Sequence, residues 1–396
     1  MASCAHNIES GIHAAVSCLY HADASIPGGT NKRRAPCDSK ALSIIKKPKP
    51  SSGYSLLIAP VTSTVIPLTI KKAKSTMHNM TLLELCDVAV IRRLIKSKAL
   101  QLQFDPSKYG YSQSVQYHKN QRNQLSSYLT LNYNRHIDGF LVRYIKPSHG
   151  WGRVTPHKAL GCTSFSKKIR NTLIHSKYYD IDIAMAQYKI LYDICRHHNI
   201  PSENLRYFVL NRDSIYTETM ERYGVNKKAT KKLYLRFIFL GGFTGWIKEL
   251  NLPMATTPTV FLRNLAAELN RTASIISNAN NALFKSVVKI KEKKNKTHSI
   301  RGSFLSYYLQ EYETRVMECV IGYLSTETRI MTSPLTKIPV GIYEYDGVKL
   351  LKVTVDEYGG VEKLTTDLKA LVCGALGFEL DFVEKPIEAG YPLLLS

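Results

Sequence analysis

Acidic residues are scarce in this chain. Among its 396 residues, 31 Asp and Glu stand against 54 Lys and Arg, which gives a formal net charge of +23. Self-repulsion of this size gives a folded protein no advantage, whereas a polyphosphate partner neutralises the charge and releases counterions on binding. The imbalance therefore indicates a protein that handles nucleic acid. A ribosomal or packaging protein, or one that binds an anionic membrane surface, has a similar balance, and charge alone does not separate these classes.

Three further features are missing. The eight cysteines include no C-x-x-C pair, so their spacing supports neither a zinc site nor a disulfide framework and suggests a reducing environment. No apolar run approaches the roughly 20 residues that span a bilayer. The N-terminus lacks a charged segment followed by an apolar one, as a secretory signal would require. We therefore expect a soluble, intracellular protein with no membrane partner, in a compartment that the sequence does not specify.

Residues 1–75 differ in composition from the rest of the chain. They are rich in Ser, Ala, Pro and Lys, with basic clusters at 32–34, 46–49 and 71–74. Only three acidic residues interrupt them, namely Glu9, Asp23 and Asp38. This pattern predicts a disordered basic arm that adds phosphate affinity or carries a targeting signal.

The remaining chain is patterned like a folded protein. Thr81 and Glu84 have the spacing of a helix capping box, and apolar residues follow at helical spacing, so residues 76–150 are predicted to be helical. Further helices are predicted at 184–198, 203–221, 226–240, 303–324 and 361–376, and strands at 178–183, 340–346, 348–353 and 379–383. Residues 285–301 carry seven basic residues and one Glu, which predicts an exposed loop.

Two aspartates stand at predicted strand ends. Asp182 ends one apolar strand, and Asp346 occupies the turn of a hairpin 164 residues later. Carboxylates from two strand ends would suit Mg²⁺, and two such ions about 3.5–4 Å apart activate an attacking hydroxyl and stabilise a leaving group. Asp180 competes with Asp182 as the first ligand. Alternatively, Asp346-Gly347 is an ordinary hairpin turn and Asp182 a solvated strand end.

A basic helix lies between the two aspartates. Lys227, Lys231 and, with slight rotation, Phe239 lie along one face, because residues four apart are neighbours on a helix. Such a face offers two cations for a triphosphate and a ring for a base or sugar. The same pattern also fits an ordinary amphipathic helix with Phe239 in the core.

The order of these features resembles the family A DNA polymerases, whose superfamily includes the single-subunit phage-type RNA polymerases. In that family a G-R pair and a later I-R precede the first catalytic Asp, an R-x3-K-x7-[YF]-G helix follows, and H-D lies in a later hairpin. The resemblance covers residues 150–353 and extends, more weakly, through the final predicted helix and strand. The matching residues are Arg153, Arg170, Asp182, Lys227, Lys231, Phe239 and Asp346. The chain departs from the pattern at Lys227 (for Arg), Leu240 (inserted before the glycine), Tyr345 (for His) and Gly347 (for a frequent second acid).

The resemblance implies an α+β fold like a right hand. Residues 151–396 would form a palm with a small antiparallel sheet and mostly helical fingers, and residues 76–150 a thumb-like or accessory region. It implies a monomeric DNA polymerase without proofreading, which extends a primer on a nucleic-acid template with nucleoside triphosphates. The alternatives are an RNA polymerase of the same superfamily, a non-catalytic basic nucleic-acid-binding protein and, less favoured, a metal-dependent nuclease.

The resemblance also implies a role for each candidate residue. Asp182 and Asp346, with Asp180 as the alternative ligand, would hold two Mg²⁺ ions. Lys227 and Lys231 would neutralise the triphosphate, and Phe239 would stack near the new base pair. The residues expected along the template–primer duplex are Arg153, Arg170, Gln310 and Glu313, with Lys289 and Lys291 of the basic loop gripping phosphates.

Overall fold

The structure, a computed structural model, describes residues 66–72, 75–97, 100, 111–293, 295, 299–333, 336–388 and 390–391, and of residues 111–119 only the backbone. Its strands are β1 (Thr81–Glu84), β2 (Tyr133–Asn134), β3 (Gly139–Ile145), β4 (Thr155–Pro156), β5 (Tyr178–Ile183), β6 (Ile342–Glu344), β7 (Gly347–Leu351) and β8 (Phe382–Lys385). Its helices are α1 (Val88–Lys96), α2 (Tyr111–Leu131), α3 (Lys167–Ile174), α4 (Ala186–His197), α5 (Glu203–Tyr223), α6 (Lys227–Ile238), α7 (Phe243–Glu249), α8 (Val260–Ala279), α9 (Asn281–Glu292), α10 (Ile300–Thr326), α11 (Lys352–Tyr358) and α12 (Gly360–Leu376). The fold is α+β, with small antiparallel sheets, as the sequence predicts.

The central sheet brings distant parts of the chain together. Its strand order is β6-β7-β5-β8, and every neighbouring pair is antiparallel. β5 reads Tyr-Tyr-Asp-Ile-Asp-Ile and buries Ile181 and Ile183. β6 and β7 form a hairpin whose inner positions are apolar, so the pair packs against the same core. This sheet positions both aspartates at one end.

A second sheet occupies part of the region predicted to be helical. It has the order β1-β3-β2, with β4 also paired to β3. The two sheets are joined where Leu83 pairs with Val340 in a parallel bridge. Residues 76–150 therefore contain strands as well as helices α1 and α2, and their apolar side chains are continuous with the core beneath the central sheet.

The predicted capping box at Thr81 is wrong. Thr81–Glu84 is a strand whose residues pair with β3. The helix begins later, because the Asp87 side chain accepts hydrogen bonds from the backbone N–H groups of Ala89, at 2.7 Å, and Val90, at 3.2 Å. Asp87 is thus the N-cap, which satisfies backbone donors that have no partner within the helix.

The packed structure begins inside the range assigned to the basic arm. Ile66 and Ile70 are buried, and the Ile70 N–H donates to Asn280 Oδ1 at 2.8 Å. The hydroxyl of Tyr308 donates to the Leu68 carbonyl oxygen at 2.9 Å. Residues 66–72 therefore belong to the fold, and the predicted disorder of residues 1–65 lies outside the described residues.

The predicted basic loop is also largely helical. Residues 281–292 form α9, which buries Leu283 and Val287 four positions apart while Lys285 and Lys289 point outward. The apolar pair gives the segment one face to bury, and the lysines occupy the other.

Among the described residues, no helix is long and apolar enough to cross a membrane.

A buried carboxylate, Glu84, connects the two sheets. It accepts hydrogen bonds from the hydroxyls of Tyr128, at 2.6 Å, and Tyr144, at 3.2 Å, and from the Cys162 N–H at 2.9 Å. The Tyr144 hydroxyl also lies 3.3 Å from the Tyr343 backbone nitrogen, in β6. Burial raises the pKa of Glu84 to about 7, although these hydrogen bonds lower it.

This pKa predicts a pH-dependent stability. Glu84 titrates at about 7 in the fold and at its ordinary 4.5 when unfolded, so between these values the folded protein binds the extra proton. The contribution of Glu84 to the free energy of unfolding is therefore largest below pH 4.5, and it decreases as the pH rises to about 7. At about 1.4 kcal/mol per pKa unit, the loss over the whole window is roughly 3.5 kcal/mol.

Glu84→Gln cannot ionise and should escape this loss. In urea unfolding at pH 5 and pH 8, the free energy of unfolding of the variant minus that of the wild type is expected to rise by roughly 3 kcal/mol. A difference that stays constant between the two pH values would show that Glu84 does not titrate in this way.

Candidate active site

The two candidate metal ligands, Asp182 and Asp346, lie side by side. Asp182 is directly opposite Gly347 in the β5–β7 ladder, so it adjoins the residue that follows Asp346. The N–H of Ile183 donates to the carbonyl oxygen of Asp346 at 3.0 Å. Both aspartates line one cavity of about 200 Å³ at this end of the sheet.

Gly347 provides the space for this approach. A Cβ built at Gly347 would lie 2.6 Å from the carbonyl oxygen of Ile181 and 2.8 Å from Asp182 Oδ1. Any side chain here would therefore press on the backbone of β5 and displace the Asp182 carboxylate. An acidic side chain at position 347, as the family pattern often has, would therefore not fit beside Asp182 here.

Asp182 and Asp346 differ in their surroundings. Asp182 is only 4% exposed, and the ammonium group of Lys385 forms an ion pair with its Oδ2 atom. Burial raises the pKa of the Asp346 carboxyl, while Arg153 and Lys231 lower it. Both carboxylates are thus poorly hydrated and surrounded by cations, as expected for groups that a bound cation would stabilise.

Asp180 and Asp182 have different partners in the structure. Lys349 is buried in the middle of β7, directly opposite Asp180, and its ammonium group lies 2.9 Å from Asp180 Oδ1. The same ammonium group forms an ion pair with Glu344. Because removing one partner from a buried ion pair is costly, the buried Lys349 holds Asp180 in place.

Arg153 is anchored beside the hairpin turn. Its guanidinium makes two hydrogen bonds to Glu313, at 2.9 and 3.1 Å, and stacks over the Tyr345 ring with 4.7 Å to the centroid. Tyr345 takes a left-handed φ of 56°, which a side chain adopts only at some cost. Arg153 thereby supports the turn that carries Asp346.

Glu313 and Gln310 have different positions. The Glu313 side chain is fully buried against Arg153, so it acts by positioning Arg153 and cannot reach a duplex. Gln310 is partly exposed, and its Oε1 would lie 3.0 Å from a Cβ at Gly152, which has a φ of 90°. Gly152 and Arg153 therefore pack against α10 at Gln310 and Glu313, respectively.

Arg170 lines the same cavity as Asp182 and Asp346. Its Nη2 atom is 3.1 Å from Glu344 Oε1, and its buried Nε has no hydrogen-bond partner among the described residues. Lys167 and Asn171, from the same helix α3, line the cavity with it. Helix α3 thus contributes two cationic side chains, Lys167 and Arg170, to the lining of the cavity.

Helix α6 presents the predicted basic face. Lys227 and Lys231 are exposed, and Lys231 is near enough to Asp346 to lower the pKa of that carboxyl. Phe239 is partly buried at the residue after the helix, packed against the core. Leu240, which follows the C-cap residue Phe239, takes a left-handed φ of 58°, and the Gly241 N–H donates to the Arg236 carbonyl oxygen at 2.8 Å.

Lys289 and Lys291 lie apart from this site. Both belong to α9, where Lys289 is exposed and Lys291 is partly buried. Neither lines the cavity of the two aspartates, which is bounded by Lys167, Arg170, Asn171, Asp180, Asp182, Glu344, Tyr345, Asp346, Lys385, Pro386 and Ile387. Their predicted contact with phosphates remains a prediction.

Three charged residues of the site escape a local pattern search: Glu344, Lys349 and Lys385. Lys349 and Lys385 lie on strands that pair with β5, which is far away in sequence, and Glu344 pairs with Arg170 of the distant helix α3. A lone lysine between Val348 and Leu350 is the signal that could have revealed Lys349, because a lysine in a buried strand needs a carboxylate partner. No comparable signal marks Lys385.

A cluster of Glu84, Cys86 and Cys162 also brings possible metal-binding atoms within 4.8 Å of one another. All three residues are buried. The Glu84 oxygens already accept hydrogen bonds from two tyrosine hydroxyls and a backbone N–H. The cluster therefore fits a satisfied network within the core better than an ion site.

No protein-family model matches the sequence, and none of the curated proteins matches it. Among solved structures, the chain is similar to the POL domain of Pol1 from M. smegmatis, in a complex with DNA primer-template and dNTP. The identity is 10% and the TM-score 0.40, over 97% of this chain and 65% of that one. The chain thus spans less than two thirds of that structure's length. A likeness at this level adds no weight to a function, which rests on the geometry of the site.

Proposed function

We propose that this protein is a template-directed nucleotidyltransferase, a DNA polymerase, which extends a nucleic-acid primer with nucleoside triphosphates. The observation that carries the proposal is the pairing of Asp182 with Gly347, which places two carboxylates from distant segments at one cavity. Lys231 acts on Asp346 from a helix between them in sequence. An ordinary hairpin turn would not require these partners.

The donor set fits divalent metal ions. Asp182 and Asp346 supply hard oxygen atoms at a cavity of about 200 Å³, the ligands that Mg²⁺ takes together with substrate phosphates. When bound, two such ions would activate a primer hydroxyl and stabilise the leaving pyrophosphate. Asp180 stays with Lys349, at 2.9 Å, and holds the sheet together.

The remaining residues bind and orient the substrates. Lys227 and Lys231 lie four residues apart on the exposed face of α6 and would bind the triphosphate. Arg170 and Lys167, which line the cavity of the two aspartates, would hold a phosphate. Arg153 steadies the Asp346 turn through Tyr345, at 4.7 Å to the ring centroid. The net charge of +23 adds sequence-independent affinity for the backbone of a duplex.

A single-nucleotide extension assay tests this function. A labelled primer is annealed to four templates that differ only in the first unpaired base, and each is offered one nucleotide at a time with Mg²⁺. We expect extension by the complementary dNTP alone, and none after chelation of the metal. Repeating the assay with rNTPs identifies an RNA polymerase.

Other outcomes contradict the proposal. Nucleotide addition that ignores the template base would exclude template direction. Degradation of the primer without nucleotide would indicate a nuclease. Salt-sensitive binding without extension, on DNA and RNA templates alike, would indicate a non-catalytic nucleic-acid-binding protein, for which the Lys385–Asp182 ion pair would be a permanent feature.

A further inference from the structure

The charged face of the central sheet contains two lysines among its carboxylates. Residues opposite each other on neighbouring strands point to the same face, so Lys385 on β8 shares a face with Asp180 and, two positions along, with Asp182. Lys349 is opposite Asp180 on the other side. Each lysine pairs with a different aspartate, Lys349 with Asp180 and Lys385 with Asp182.

The two lysines differ in their freedom to move. Lys349 lies in an inner strand, its side chain is only 2% exposed, and two carboxylates hold its ammonium group. Lys385 is the last residue of β8, at the end of the strand order, and its side chain is 53% exposed. An exposed lysine that leaves its partner regains water, whereas a buried one does not. Lys385 can therefore leave Asp182, while Lys349 remains on Asp180.

Asp182 needs a counter-charge whether or not a metal ion is bound. Its side chain is almost wholly buried, and an unpaired buried carboxylate is strongly unfavourable. In this structure Lys385 supplies that charge. A divalent cation at the same carboxylate would repel the ammonium group, so the two cations compete for Asp182.

We propose that Lys385 is a displaceable counter-ion of Asp182, which stabilises the metal-free site and is expelled when a divalent metal ion binds. The proposal rests on the proposed function, since it requires Asp182 to be a metal ligand. It adds a residue that is not among those matched to the family, on the last strand that the structure describes. Lys385 thereby sets the affinity of the site for metal, and Lys349 does not.

Manganese binding to the full-length protein tests this competition directly. Free Mn²⁺ is measured by electron paramagnetic resonance as protein is added, without nucleotide or nucleic acid. We expect Lys385→Gln to lower the apparent Kd by about fivefold, the factor expected for loss of an exposed ion pair. Lys385→Arg retains the charge and is expected to bind Mn²⁺ as weakly as the wild type.

A matched control distinguishes competition for Asp182 from the general effect of removing a positive charge near the site. Lys167 lines the same cavity and is more exposed than Lys385, but its ion pair, at 3.9 Å, is with Glu388. Lys167→Gln removes the same charge without freeing Asp182, so its effect on the Kd is expected to stay below about twofold. Equal effects of Lys167→Gln and Lys385→Gln would overturn the inference.

Thermal unfolding gives a second readout that a merely structural ion pair would not produce. Lys385→Gln is expected to have a lower Tm than the wild type in metal-free buffer and a larger rise of Tm on addition of Mn²⁺. A Tm lowered equally with and without Mn²⁺ would overturn the inference.

The proposed metal site and the counter-ion role of Lys385 can be refuted independently. If the wild type binds Mn²⁺ and Asp346→Asn does not, the metal site stands, and an unchanged Kd in Lys385→Gln then refutes the counter-ion alone. If neither the wild type nor Lys385→Gln binds Mn²⁺, the metal site of the proposed function is itself refuted.

Discussion

Asp346→Asn and Asp182→Asn are each expected to reduce the rate of primer extension by more than about 100-fold. Loss of a group that only supports a metal ligand already costs roughly 10–100-fold, and these carboxylates would be the ligands themselves. Asn has nearly the same shape as Asp but no charge, so the β5–β7 pairing at Gly347 should persist. Single-turnover extension of a labelled primer under saturating Mg²⁺ and dNTP measures the rate.

Asp180→Asn is the matched control for this pair. It lies two residues before Asp182 on the same face, but the buried Lys349 holds it at 2.9 Å. Lys349 keeps its second partner, Glu344, in this variant, so we expect the rate to fall less than about tenfold. A larger loss in Asp180→Asn than in Asp182→Asn would identify Asp180 as the ligand. Full activity in Asp346→Asn would exclude the proposed catalytic role.

The long regular elements could be predicted from the sequence because their signals are local. Helix α6 has a buried stripe that includes Leu233, Tyr234 and Phe237 on one side and lysines on the other. Strand β5 alternates apolar residues with aspartates. In both, the spacing of apolar side chains matches the period of the element, and the bounds in the structure differ by a few residues at most from those predicted.

Two segments show where local pattern is insufficient. Thr81–Glu84 has the composition of a capping box, yet it forms β1 because β3, about 60 residues away, offers a pairing edge. The many lysines of α9 suggest an exposed loop, but the segment is helical because its apolar pair, Leu283 and Val287, packs in the interior. In each case a tertiary contact outweighs the local preference.

The candidate site also combines features that the local sequence predicts with features that depend on tertiary contacts. The sequence identifies Asp182 and Asp346 as strand-end carboxylates, and the structure shows them adjoining. It cannot separate Asp180 from Asp182, because residues two apart on a strand share a face. The register of β7 gives the two aspartates different neighbours, since it sets Lys349 opposite Asp180 and Gly347 opposite Asp182. That register depends on pairing between segments more than 160 residues apart, which no local pattern encodes.

The second large effect is expected at Arg153. Glu313 is fully buried and makes two hydrogen bonds to the Arg153 guanidinium. Arg153→Ala would leave this carboxylate buried without its partner, which typically costs about 3–5 kcal/mol. Urea unfolding near neutral pH should therefore show a loss of this size in the free energy of unfolding. Since whole domains are stable by only about 5–15 kcal/mol, the variant should also yield less folded protein.

A double variant separates stability from function. Arg153→Met with Glu313→Leu replaces the ion pair by apolar side chains, an exchange that is often neutral in stability, so most of the lost free energy should return. The Tyr345 ring still loses the guanidinium stacked 4.7 Å from its centroid, and Asp346 loses a nearby cation. We therefore expect primer extension to remain slow. A double variant as unstable as Arg153→Ala would contradict the buried-charge argument, and a fully active one would show that Arg153 does not position the Asp346 turn.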